Sequence, residues 1–282
     1  MYFYSKHNDD RHTSNFLSLL PKYPFWENME QYTREIEHKK TLIEKELPYI
    51  QKVARLYFSS GGYPGFFAYD TLSDWQGYLR EDVLIHGLYR DIIMIYPIKN
   101  PEFLERLVYY IAYNNGGTFA YRRLAEYFGI DTMTLTSYLS YLTESGLITL
   151  QEHFTSDSQK VIRKNKKISI ADCGLLQAIL AKNTIEPEDW DRLIASYTLA
   201  EARRYSDYQH YPLTYRAEGH CQVPLVIQKD KQIIHMYTDT TEQPGGNRKN
   251  ILLNNPHCQN IVITKNEFSF SDGILFIPFY LL

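Results

Sequence analysis

From Glu27 to Phe58 apolar side chains recur every three or four positions. Leu42, Ile43, Leu47, Ile50, Val53, Ala54 and Tyr57, with Glu46 among them, fall on one face and predict an amphipathic helical region. Pro48 lies inside it and predicts a kink or break, because proline lacks an amide donor and crowds the preceding turn. "SSGGYPG" then stops the helix: its glycines permit positive φ, and Pro64 turns Tyr63 away from the helical region. A second helical pattern runs from about Leu72 to Tyr96.

Between Asn100 and Ile170 the pattern is richer. Asn100 is placed to cap a helix with Pro101 at its first position, and Phe103, Leu104, Leu107, Val108 and Ile111 form its buried stripe. "GGT" is a break, and "YRRLAEYFGI" reads as a short helix ended by Gly129. Asp131 caps a longer helix whose stripe is Leu135, Tyr138, Leu139 and Leu142, ended by Gly146. "LITLQEHF" and "KKISIAD" are strand-like runs around the polar loop "TSDSQKVIRKN". Helix, short helix, turn, longer helix and hairpin is the order of a winged helix-turn-helix.

Beyond it, "CGLLQAILAK" and "EDWDRLIASYTLAEARRY" read as helices, and "PLTYRA", "QVPLVIQ", "QIIHMYT", "NIVIT" and "GILFIPFYL" as strands. That alternation predicts a small α/β domain built on a sheet.

Composition narrows the function classes. The chain of 282 residues is long enough for two domains with their own cores. Its apolar runs are too short to span a bilayer, and no basic segment followed by an apolar one marks a signal peptide. Three scattered cysteines, Cys173, Cys221 and Cys258, fit neither a disulfide framework nor a zinc site and suggest a reducing compartment. A cytoplasmic protein with no membrane association is expected. The net charge of −3 gives no global attraction to nucleic acid, so any such binding needs a local basic patch. One is present in the sequence: Lys160, Arg163, Lys164, Lys166 and Lys167 cluster in the wing, and Arg122 and Arg123 open the helix before the turn. On the longer helix, Thr134 and Ser137 lie off the apolar stripe, where they can contact phosphates or base edges.

Several ordered fragments resemble one family. "GGYPGFF", "YLREDVLIHGLYRDI", "NNGGTFAYRRLAEYFGIDTMTLTSYLSYLTESGLI" and "KKISIADCGLLQAIL" are similar to the conserved C-terminal region of archaeal and bacterial AAA-type ATPases. The resemblance runs from about Gly61 to Leu282 and implies a winged helix followed by a nuclease-like domain of the PD-(D/E)xK kind. Two departures matter. No G-x-x-x-x-G-K-[ST] loop is present, so this chain alone is not expected to hydrolyse ATP. The related nuclease domains also set an Asp on one strand and a Glu-x-Lys on the next, where both carboxylates and the lysine share a face and hold Mg²⁺. Here Pro224, His235 and Tyr237 take those positions, and Glu201 stands where a helical glutamate often lies.

The expectation is an α+β multidomain protein: a helical, lid-like region over 1–98, a winged helix-turn-helix over 99–171, and a degenerate nuclease-like α/β domain over 172–282. It has no catalytic residue, cofactor or metal, and works by binding double-stranded DNA through Arg122, Arg123, Thr134, Ser137 and the wing cations. Two alternatives are a scaffold subunit docking on a separate ATPase, and a metal-dependent nuclease with rearranged ligands.

Overall fold

The structure, a computed structural model, describes the chain except for residues 1–14, 17, 97, 99, 156–163, 210, 219–220, 230 and 242–257. It is a mixed α/β protein that divides into two compact units, one formed by residues 1–57 and 187–282 and the other by 58–186.

The first unit contains α1 (Met29–His38) and most of α2 (Lys40–Ser60). The single helix expected over Glu27–Phe58 is therefore two, and the break falls at Lys39 rather than Pro48, which sits inside α2. Asn28 starts α1 by accepting from the Gln31 amide at 3.0 Å, so that one orphan donor of the first turn is satisfied. Residues 187–282 then give α8 (Trp190–Gln209) and six strands: β4 (Leu213–Glu218), β5 (Cys221–Lys229), β6 (Gln232–Asp239), β7 (Gln259–Thr264), β8 (Ser269–Ser271) and β9 (Ile274–Pro278). They are ordered β4-β5-β6-β7-β9-β8. β4, β5 and β6 form an antiparallel meander, β6, β7 and β9 are parallel, and β8 returns antiparallel on the edge. α8 packs against β4 and β6, and α1 against β8. Ile261, Val262 and Ile263 of β7 and Ile274, Leu275, Phe276 and Ile277 of β9 are buried in succession, as residues of parallel strands covered on both faces must be. Phe279 closes the unit, with its ring 6.0 Å from Trp190 and 6.5 Å from Tyr197.

The second unit begins within the last turn of α2, at Phe58. α3 (Leu72–Tyr78) continues through wider, π-type turns at Leu79–Ile85 and Gly87–Ile92 to a final turn at Ile93–Ile95. α4 (Pro101–Tyr113), β1 (Gly117–Phe119), α5 (Tyr121–Phe128), α6 (Thr132–Glu144), β2 (Ile148–His153), β3 (Lys166–Ile170) and α7 (Cys173–Ile179) follow. β3 lies between β1 and β2, antiparallel to both. Asn100 and Asp131 cap α4 and α6 through the amides of Phe103 and Thr134.

The three-way division expected from the sequence does not match these units. Trp75, Leu79, Leu84, Leu88 and Ile92 of α3 share one apolar core with Leu104, Leu107, Ile111, Leu135 and Leu139. Leu175, Leu176 and Ile179 of α7 join the same core. Burying those faces together removes more apolar surface from water than leaving α3 and α7 as parts of other domains.

Candidate nucleic-acid interface

α5 has only two turns, and its residues divide cleanly. Leu124 and Ala125 face the core, whereas Arg122, Arg123, Glu126 and Tyr127 face solvent. On α4, Arg106, Tyr110 and Tyr113 recur at i, i+4 and i+7 and so share a face outside the buried stripe. The two helices bring these residues together. The Tyr110 ring lies 5.4 Å from Tyr127 and 5.4 Å from Phe128, and the Arg106 guanidinium sits 6.0 Å over Phe128. Tyr127 and Tyr113 are nevertheless 72% and 73% exposed. Beside them opens a cleft of about 520 Å³, lined by Tyr110, Thr118, Phe119, Arg123, Tyr127 and Asn165. Aromatic rings with a guanidinium between them make a surface for stacking and for anions.

The expected DNA-contacting residues separate into groups. Arg123 is exposed and lines the cleft. Arg122 is exposed but bonds Glu126 at 2.8 Å, a surface pair worth little in itself. Thr134 donates its hydroxyl to Asp131 at 2.6 Å, so it serves the start of α6, and Ser137 is half-buried. Asp131 is held below the usual carboxylate range by its bonds to Thr134 and so keeps its negative charge there. Lys164 is exposed just before β3; Lys160 and Arg163 lie outside the described residues.

Lys166 differs from the expectation. It is 6% exposed and donates to Glu152 across the β2–β3 hairpin, because even-numbered positions of this strand end face inward at its start. It is not on an open phosphate-binding surface. Lys167 is half-buried, and burial pulls its amine down to about 8. It pairs with Thr118 across the β1–β3 ladder, so the two side chains leave on the same face as the cleft-lining Thr118.

The solvent face of α6 is different in character. Met133 is 80% exposed, and Thr136 and Ser140 lie near it between Asp131 and Glu144. Glu144 accepts from the Tyr96 and Ser140 hydroxyls at 2.6 and 2.8 Å. Two carboxylates and no Lys or Arg on that helix are poorly matched to a phosphate-lined groove.

In the first unit, β5 and β6 form the hairpin that carries Pro224, His235 and Tyr237. His235 pairs with Val226 on β5 and with Asn260 on β7. By strand alternation Pro224, Val226, His235 and Tyr237 share a face, as a nuclease hairpin would require. The chemistry there is apolar: Tyr237 packs on a buried cluster of Val262, Ile274 and Phe276. His235 is fully buried, and among the described residues neither ring nitrogen has a hydrogen-bond partner. Burial, with a smaller push from the Arg216 charge, lowers its imidazole to about 4. Asp239, at the end of the row, accepts from the amide and hydroxyl of Thr241 at 3.1 and 2.6 Å. Glu201, on α8, forms an ion pair with Arg204 at 2.6 Å, and burial raises its carboxyl. Among the described residues, no three His, Cys, Asp or Glu side chains converge in a metal-binding group.

Arg106, Tyr110, Tyr113 and Tyr127 were missed by the sequence reading. A signal existed for Tyr113 and Tyr127, which lie off the apolar stripes of their helices and are exposed, whereas Tyr110 is half-buried against the core.

Residues 51–186 match a family described as a domain of unknown function, DUF8612. That span covers the whole second unit, 58–186. No curated protein matches the chain. Among solved structures the chain is similar to protein VC1899 from Vibrio cholerae, at 11% identity and a TM-score of 0.24. The similarity covers 73% of this chain and 50% of that one, so this chain spans about half its length. Among the described residues, no helix is long and apolar enough to cross a membrane.

Proposed function

We propose that this protein is a non-catalytic nucleic-acid-binding protein. In this reading residues 99–171 are a winged helix, and the α/β unit is a nuclease-like scaffold that has lost its metal site. The order α4-β1-α5-α6-β2-β3, with β3 between β1 and β2, supports the winged helix. The antiparallel meander β4-β5-β6 continued by parallel β7 supports reading this sheet as nuclease-like. The observation that carries the binding function is the set of exposed cations Arg106, Arg123 and Lys164 together with exposed Tyr113 and Tyr127 and half-buried Tyr110. Cations neutralise phosphates and release counterions, while the rings supply sequence-tolerant contact. α5 and the wing base, rather than α6, form the binding face.

Fluorescence anisotropy of the full chain with labelled DNA at two salt concentrations tests this. Binding that weakens steeply with salt is expected. Absence of binding even at low salt overturns the reading.

A second reading is favoured by one observation, the exposed Met133 on the acidic face of α6. A flexible, exposed apolar side chain on a helix face that carries carboxylates and no cation suits a basic protein partner, such as a separate ATPase subunit. Loss of co-purification with that partner in Met133→Asp would support it.

A further inference from the structure

The cleft between α4, β1, α5 and the start of β3 has a shape and chemistry that an intact duplex does not use. Its volume of about 520 Å³ falls within the range of small-molecule pockets. Its walls are Tyr110, Phe119 and Tyr127, and its polar groups are Arg123, Thr118 and Asn165. Arg123 and Tyr127 are one turn apart on α5, so the guanidinium and the ring stand side by side over the same opening. Arg106, whose guanidinium lies over Phe128 one residue after the lining Tyr127, and Lys164, one residue before the lining Asn165, are exposed cations adjacent in sequence to its walls.

Bases in a duplex present their edges in the grooves and hide their faces in the stack. A cleft with an exposed aromatic ring and a side-chain amide instead suits one unstacked base, whose face meets the ring and whose edge meets Asn165. The neighbouring arginine is then placed for the adjoining phosphate.

We infer that this cleft takes a single unpaired nucleobase, so that the protein binds single-stranded nucleic acid in preference to blunt duplex. The inference rests on the nucleic-acid reading above and specifies its substrate class. α5 positions both the ring and the guanidinium, and the wing base supplies Asn165 and Lys164.

The experiment measures binding of the full chain to a short fluorescein-labelled single strand of mixed sequence and to the blunt duplex of the same sequence, both at low salt. Tighter binding of the single strand is expected. Tyr127→Ala should weaken single-strand binding by about five-fold or more, the usual loss for one stacked base. Tyr127→Phe keeps the ring and should retain the affinity. Tyr127→Trp should show indole fluorescence quenched by the single strand and not by the duplex. Because Tyr127 is exposed, these substitutions leave the core unchanged. Equal affinity for both ligands, or an unchanged Tyr127→Ala, overturns the inference. If Arg123→Ala then still weakens binding, the broader nucleic-acid reading survives. No binding of either ligand overturns both.

Discussion

Asp172 grips the glycine turn at Gly61 so closely that no side chain fits between them. A Cβ at position 61 would lie 2.1 Å from Asp172 Oδ1, and Gly61 adopts φ +76°. Asp172 accepts from the Gly62 amide at 2.8 Å through one oxygen and from the Leu175 amide at 2.8 Å through the other. One carboxylate therefore caps α7 and closes the "GGYP" turn more than a hundred residues earlier in the chain. Gly174 completes the contact, since a Cβ there would meet the Ser60 carbonyl carbon at 2.2 Å.

Gly174→Ala should therefore destabilise the second unit by about 1–3 kcal/mol or more, because backbone cannot give way as a flexible side chain does. Asp172→Ala should cost about 1–3 kcal/mol through a lost cap and an unsatisfied amide. Urea denaturation of both variants, beside the exposed control Thr136→Ala, reads these losses. A Gly174→Ala protein as stable as the parent would contradict the close approach.

Much of this unit was legible in the sequence, for a physical reason. The stripes of α4 and α6 are periodic, and each of Phe103, Leu104, Leu107, Val108, Ile111, Leu135, Tyr138, Leu139 and Leu142 is buried. Local capping by Asn100 and Asp131 was legible for the same reason, being decided within a turn. The unit boundaries were not, because they depend on Trp75 and Leu176 reaching a core built from residues distant in sequence. β1 and β8, three residues each, are too short to carry alternation and are defined only by their partners. Leu42 matched the helical period yet is exposed, which a period alone cannot reveal. The cleft was hidden for a similar reason: Tyr110 and Arg123 lie on different helices, and only packing joins them.

His235 makes the first unit sensitive to acid. Its folded-state pKa of about 4 lies below the ordinary 6.5, so the unfolded chain takes up the proton first. Its contribution is fully present above pH 6.5 and is lost as pH falls from 6.5 toward 4, by up to about 3 kcal/mol. His235→Leu removes the titration and the two unpartnered nitrogens while keeping comparable volume. Denaturation midpoints between pH 4 and 7 should fall less steeply in that variant, with no loss at pH 7. A parallel decline in both proteins would assign the acid sensitivity elsewhere.

Lys167 should couple binding to pH. Burial holds its amine at about 8, and a phosphate brought to that face would raise it again. Linkage then requires proton uptake on binding near pH 8, with affinity falling as pH rises from 7 to 9. Calorimetry in two buffers of different ionisation enthalpy measures that uptake. Lys167→Arg stays charged throughout and should bind with little pH dependence over the range. Identical pH profiles for the two proteins would place Lys167 outside the binding face.

α5 and α6 should respond oppositely to substitution. A helix inserted in a groove presents donors to phosphates and bases, but α6 presents Asp131, Met133, Thr136, Ser140 and Glu144. Removing the hydroxyls in a Thr136→Ala, Ser140→Ala double variant should leave nucleic-acid affinity within about two-fold, since surface changes away from contacts cost little. Arg123→Ala removes one exposed cation from α5. If that cation meets one phosphate, the slope of log K against log salt should shrink by about 0.7 for a single strand. Anisotropy titrations of the parent and both variants at several salt concentrations supply the slopes. A large loss in the α6 variant with an unchanged slope in Arg123→Ala would move the binding face to α6, because the salt slope counts phosphate contacts and is indifferent to stability.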